Sequence, residues 1–183
     1  MATQPTIVLV EGVSDRRALE ALAVRLGRDL EAERVAIVAM GGAQAIGKYL
    51  AHFGPSGLDI GLAGLCDAGE EGDFRRGLER AGLGSHLTRA DMESLGFYVC
   101  VADLEDELTR AVGPDAVEHV IEAQGELTSF RTFQKQLEKR DLTREEQLRG
   151  FMWNRKLAYS SLLVDALDLG RVPRPLDRLL AHV

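Results

Sequence analysis

Four short apolar runs, TIVLV (6–10), RVAIVAM (34–40), LDIGLAGLCD (58–67) and GFYVCVAD (96–103), alternate with the amphipathic stretches SDRRALEALAVRLGR (14–28), AQAIGKYLAHF (43–53) and GDFRRGLERAG (72–82). Runs rich in Val, Ile and Leu at this spacing predict strands joined by crossover helices, because a parallel sheet needs its helices on the faces. The expectation is an α/β fold: a Rossmann-like, mostly parallel central sheet of about four strands. After Asp103 the strand pattern stops and helical patterns follow: LEDELTRAV (104–112), DAVEHVIEAQ (115–124), SFRTFQKQLEKR (129–140) and TREEQLRGFMWNRKLAYSSLLVDAL (143–167), with a short piece beyond VPRP (172–175). The predicted organisation is an α/β domain over residues 1–112 and a C-terminal helical annex over 113–183, packed on or beside it.

With 183 residues and 45% hydrophobic content, the chain can bury a full core. Its net charge of -7 argues against holding nucleic acid by phosphate neutralisation alone. The charge is unevenly placed, however. Residues 1–127 carry 11 Lys/Arg against 22 Asp/Glu, whereas residues 128–156 carry 8 against 4. An acidic body with a basic flank suits a metal site beside a polyanion track. Cys66 and Cys100 lie far apart in apolar runs and read as buried free thiols. No secretory leader and no bilayer-length apolar stretch is visible, so the expected setting is soluble and cytoplasmic, away from membranes.

In an open parallel sheet, ligands bind at the carboxyl ends of the strands. Glu11 ends the first predicted strand, Asp67 the third, and Asp103 with Glu105 the fourth. Asp15 follows Glu11 by four residues on the first helical turn, and Glu70 and Glu71 occupy the equivalent turn after Asp67. Each acid alone has a plain structural role: Asp15 complementing a helix dipole behind a Ser14 cap, Asp67 in a turn, Glu105 in an acidic helix start. Their convergence on one edge is what points to a site. Acids packed together need a counter-charge, and a hard divalent cation such as Mg²⁺ or Mn²⁺ prefers oxygen ligands.

The stretches LVEGVSD, LCDAGEE and VADLEDEL, in this order, resemble the Toprim domain, the metal-dependent fold of topoisomerases, bacterial-type primases and recombination nucleases. The nearest likeness is the Toprim of the OLD (overcoming lysogenization defect) nucleases, whose opening motif is a strand, Glu-Gly, and a second acid four residues after the first. The resemblance covers roughly the first 105 residues, and Lys156 of WNRKLAYSS is the counterpart of a lysine in a later helix. It implies that Glu11, Asp15, Asp67, Glu70, Asp103 and Glu105 form the acidic set for one or two Mg²⁺ or Mn²⁺ ions, and that Lys156 stabilises charge on the phosphate. Glu11 is also open to a proton-shuttling role. Asp67-Ala68-Gly69-Glu70 departs from the usual Asp-x-Asp, which bears on the second ion. The implied function is metal-dependent hydrolysis of phosphodiester bonds in DNA, as a stand-alone nuclease without its ATPase domain. The rival is a catalytically degenerate Toprim serving as the nucleic-acid-binding or regulatory subunit of a separately encoded ATPase. A homodimer is compatible with either.

Other motifs carry less. Gly42, Gly47 and Lys48 fit the spacing of a phosphate-binding loop, but Tyr49 stands where that loop needs Ser or Thr. The histidines His52, His86, His119 and His182 show no ligand spacing. Trp153, Phe151 and Tyr159 offer rings for base stacking in the basic segment, although at their helical spacing core contacts are the commoner use. A topoisomerase needs a separate tyrosine domain. A phosphotransfer receiver needs adjacent acids that EGVSD does not supply.

Overall fold

A computed structural model describes residues 4–183; the first three residues of the predicted 1–112 domain lie outside it. The four apolar runs form β1 (Thr6–Val10), β2 (Val35–Ala39), β3 (Gly61–Cys66) and β4 (Phe97–Val99). All pairings are parallel, in the order β2-β1-β3-β4. The register sets Val10 beside both Ala39 and Leu65, and Cys66 beside Val99. The residues that follow β1, β3 and β4 therefore emerge along one edge.

Pleating sends alternate side chains into two separate cores. Val8, Val10, Ala63, Leu65 and Tyr98 enter one; Leu9, Cys66, Phe97 and Val99 enter the other. The second core is closed by α2 (Ile46–Phe53), α3 (Glu71–Arg80) and α4 (Arg89–Ser94), through Ile46, Leu50, Phe74, Leu78 and Met92. Tight approach is possible there because position 64 is glycine. A Cβ at Gly64 would meet the Phe97 ring at 2.7 Å and the Leu9 carbonyl oxygen at 2.9 Å.

The first core is covered by α1 (Val13–Arg25) and by the annex: α5 (Leu104–Val112), α6 (Pro114–Ala123), α7 (Leu127–Gln134), α8 (Arg144–Met152), α9 (Lys156–Ala166) and α10 (Arg174–His182). Leu19 and Leu22 of α1 are fully buried with Leu163 and Val164 of α9. Each such side chain contributes roughly 1.5–3 kcal/mol on burial. Sheet and annex thus share one core, which fixes α9 against the edge where β1 ends. Cys66 and Cys100 are buried free thiols whose pKa burial pushes up. Among the described residues, no helix is long and apolar enough to cross a membrane.

The local differences from the sequence reading have physical causes. The stretch 143–167 is two helices, α8 and α9, broken by a 3-10 turn at Trp153–Arg155. The stretch 129–140 likewise ends as an α-helix at Gln134. Gln147 of α8 holds that end: it accepts from the Gln134 side chain at 2.8 Å and donates to the Lys139 carbonyl at 2.7 Å. Helix α4 is started by a reciprocal Thr88–Asp91 cap that hydrophobic periodicity does not reveal. The N-cap of α1 is Gly12 and not Ser14.

Candidate metal centre

The site is built where β1 and β3 end. Glu11, Asp67 and Glu70 each present a carboxylate oxygen, and the three oxygens lie within 4.8 Å of one another. Glu11 stands on a turn held from two sides. Its carbonyl accepts from Gly41 and Gly42 at 3.0 and 3.1 Å, and those residues adopt φ of +79° and +127°, where glycine is favoured. Of the residues that imitate a phosphate loop, Gly42 therefore fastens the end of β1, while Gly47 and Lys48 are exposed on α2.

Asp15 turns back on the same corner, accepting from the Gly12 amide at 2.7 Å. Asp67 Oδ1 accepts from the Leu104 amide at 3.2 Å, joining the end of β3 to the start of α5. Glu70 is reached through the single 3-10 turn after Asp67. Glu105, 4% exposed, lies on the first turn of α5 and pairs with Lys156 Nζ at 2.8 Å. The break between α8 and α9 is what makes Lys156 the first residue of α9, facing α5. Asp103 has a different geometry: its Oδ1 caps α5 by accepting from the Asp106 amide at 2.7 Å, and only its charge bears on Asp67.

The electrostatics are those of crowded, half-dry acids. Burial above all, then Asp15, Asp103, Glu105 and Glu70, pushes the Asp67 carboxyl up to about 8. Burial raises Asp15 to about 6, against the Gly12 hydrogen bond and with the help of Glu105 and Glu11. Glu11 is raised by burial and by Glu70, with Lys156 working the other way. For Lys156 itself burial acts downward, but the Glu105 hydrogen bond and nearby acids carry its pKa upward, so it stays charged.

Whether a metal suits this set is decided by its donors. Three hard oxygen donors converge, and Glu70 Oε2 and Glu105 Oε1 are buried without a hydrogen-bond partner. A buried carboxylate oxygen left bare is costly unless something positive meets it. A divalent cation held by oxygens fits that need.

Two residues of the surround were not legible as functional. Glu107, 5% exposed, accepts from the Val101 amide at 2.7 Å and pairs with Arg110 at 3.0 Å, so it fixes the β4–α5 loop that carries Asp103 and Glu105. Glu71 pairs with Arg89 and so is drawn away from the acidic set. Only the acidic run 105–107 hinted at the first; the second stood beside Glu70 in the turn after Asp67, but its arginine partner lies 18 residues away.

Comparison with known proteins agrees with this geometry. Residues 5–68 match the family described as "Overcoming lysogenization defect protein-like, TOPRIM domain", a span containing Glu11, Asp15 and Asp67. The likeness is to an OLD-like Toprim domain. Toprim folds belong to nucleic-acid-processing proteins and typically bind divalent metals. The fold of the whole chain matches the C-terminal region of the OLD protein of Burkholderia pseudomallei, with TM-score 0.73 and 21% identity over 98% of this chain and 96% of that one. It also matches the C-terminal region of the OLD protein of Xanthomonas campestris pv. campestris. The platinum-phased structure gives TM-score 0.74 and 20% identity over 98% of this chain and 92% of that one. The mercury-phased one gives 0.73 and 21% over 100% and 95%. No curated protein matches the sequence. The helical annex as well as the sheet therefore has counterparts in these structures.

Proposed function

We propose that this chain is a Toprim nuclease that hydrolyses phosphodiester bonds of DNA with Mg²⁺ or Mn²⁺. The observation that carries the reading is the convergence of the Glu11, Asp67 and Glu70 carboxylates at the sheet edge. Glu11, Asp67 and Glu70 would hold the ion, with Asp15 and Glu105 as acids for a second. A cation bound there supplies Lewis-acid stabilisation of phosphate charge and a bound water of lowered pKa.

The remaining work falls to the chain's own side chains. Asp15 keeps the Glu11–Gly12 corner closed, so that the Glu11 carboxylate stays on the edge. Asp67 spends one oxygen on the Leu104 amide, which orients the carboxylate. Lys156 provides a compact positive charge for the phosphate as negative charge builds on it, and Glu105 holds that ammonium in place. Glu11 is alternatively the carboxylate that takes a proton from the attacking water, in which case Asp67 and Glu70 would hold the ion.

The test is cleavage of supercoiled and single-stranded DNA by purified protein with Mg²⁺ or Mn²⁺, with EDTA as control, repeated on Glu11→Gln. Cleavage that needs the metal and vanishes in the folded variant supports the reading. Metal and DNA binding without cleavage would assign the chain instead to a regulatory role beside a separately encoded ATPase.

A further inference from the structure

Most large aromatics of the annex are buried: Phe130 is 0%, Phe151 3% and Tyr159 2% exposed. Trp153, the sole tryptophan of the chain, is 57% exposed. It opens the 3-10 turn that breaks α8 from α9, and the Lys156 ammonium lies over its ring, 4.3 Å from the ring centroid. The same ammonium is 2.8 Å from Glu105 Oε2. One lysine therefore touches both the acidic set and an exposed indole. Leu157, the second residue of α9, is 48% exposed.

We infer that Trp153 is a stacking platform for an unpaired base of the nucleic acid whose phosphate is held at the acidic edge. This rests on the nuclease reading above and names its substrate class. An indole offers a flat face that any base can cover, so the contact is indifferent to sequence. The bases of an intact duplex already cover one another's faces, so a single ring on a surface turn meets a base only where the strand is unpaired or splayed. The segment that carries Trp153, residues 128–156, holds 8 Lys/Arg against 4 Asp/Glu in a chain of net charge -7, although Arg131, Arg144, Arg149 and Arg155 are paired with acids of neighbouring elements. Lys156 both polarises the indole by its position and sits where the backbone of that nucleotide would run. Phe151 and Tyr159 take no part, since they are core residues, Tyr159 donating to Glu126 at 2.5 Å.

Because Trp153 is the sole tryptophan, its emission reports the contact directly. The full chain, with Ca²⁺ to balance the acids, is titrated with single-stranded oligothymidylate and with a duplex of equal length, while anisotropy of a labelled strand reports binding independently. The expected result is quenching by the single strand that tracks the anisotropy curve, with little quenching by the duplex. Trp153→Ala should weaken single-strand binding roughly tenfold and Trp153→Phe should largely restore it. Binding without any change in emission, or equal quenching by duplex, overturns this inference alone. No binding by anisotropy overturns the nucleic-acid reading, and this inference with it.

Discussion

In the helical annex, Glu118 accepts from Arg144 at 2.8 Å and from Arg131 at 2.5 Å. Burial alone would raise its carboxyl, but the two guanidinium groups hold it below the ordinary value. At the sheet edge, Asp67 has acids for neighbours and is driven to about 8. The same functional group is thus treated in opposite ways some fifty residues apart. The annex balances its carboxylates with arginines, as a structural ion-pair network does. The edge leaves Glu11, Asp67 and Glu70 together and brings up one ammonium, Lys156, through Glu105. An arrangement that costs stability in the metal-free chain is one that the proposed cation from solution would complete.

Substitutions break that contrast in a graded order. The largest effect is expected for Asp67→Asn, which should remove divalent-metal binding and reduce cleavage to background, as seen by calorimetry and plasmid nicking. Lys156→Met comes next. Loss of the ammonium that pairs with Glu105 should lower the cleavage rate by about a hundredfold, in single-turnover kinetics, while metal binding is retained. Third is the metal itself. At a hundredfold excess over its Kd a bound cation should stabilise the fold by about 2.7 kcal/mol, read as a rise in Tm that Asp67→Asn abolishes.

The pH dependence sharpens the same comparison. The native Asp67 carboxyl, near 8, lies far above its ordinary value of 3.8. Between those values the folded state binds a proton that the unfolded state has released, so metal-free stability should fall as pH rises from about 4 to about 8. Metal should flatten that slope, which thermal melts with and without EDTA would show. The smallest effect belongs to the annex. Glu118→Gln should cost about 1 kcal/mol in denaturant melts and leave cleavage unchanged.

Much of this contrast was legible beforehand. The strand runs were readable because each is short, apolar and followed by a polar turn, and α5 spans the residues its pattern predicts, Leu104–Val112. Topology then placed Glu11 and Asp67 on one edge before any side chain was known. What escaped the sequence depends on contacts between distant residues. The break at Trp153–Arg155 lies between α8 and α9, which both pack on α5 and α6 while α8 also meets α7 and α9 also meets α1, and it is this break that turns Lys156 toward Glu105. Asp15 and Asp103 each give a carboxylate oxygen to a backbone amide, of Gly12 and Asp106, a second use of these acids that spacing alone does not reveal, and their charges act on Asp67. Periodicity reports which face is buried and says nothing about which acid finds an arginine.

The most direct test is isothermal titration of Mn²⁺ and Mg²⁺ into the metal-free protein at pH 7 in two buffers of different ionisation enthalpy, with Asp67→Asn alongside. The account predicts saturable binding that releases protons, because Asp67 must ionise to bind, and its loss in the variant. Absence of binding at millimolar metal, or equal binding by Asp67→Asn, would contradict it.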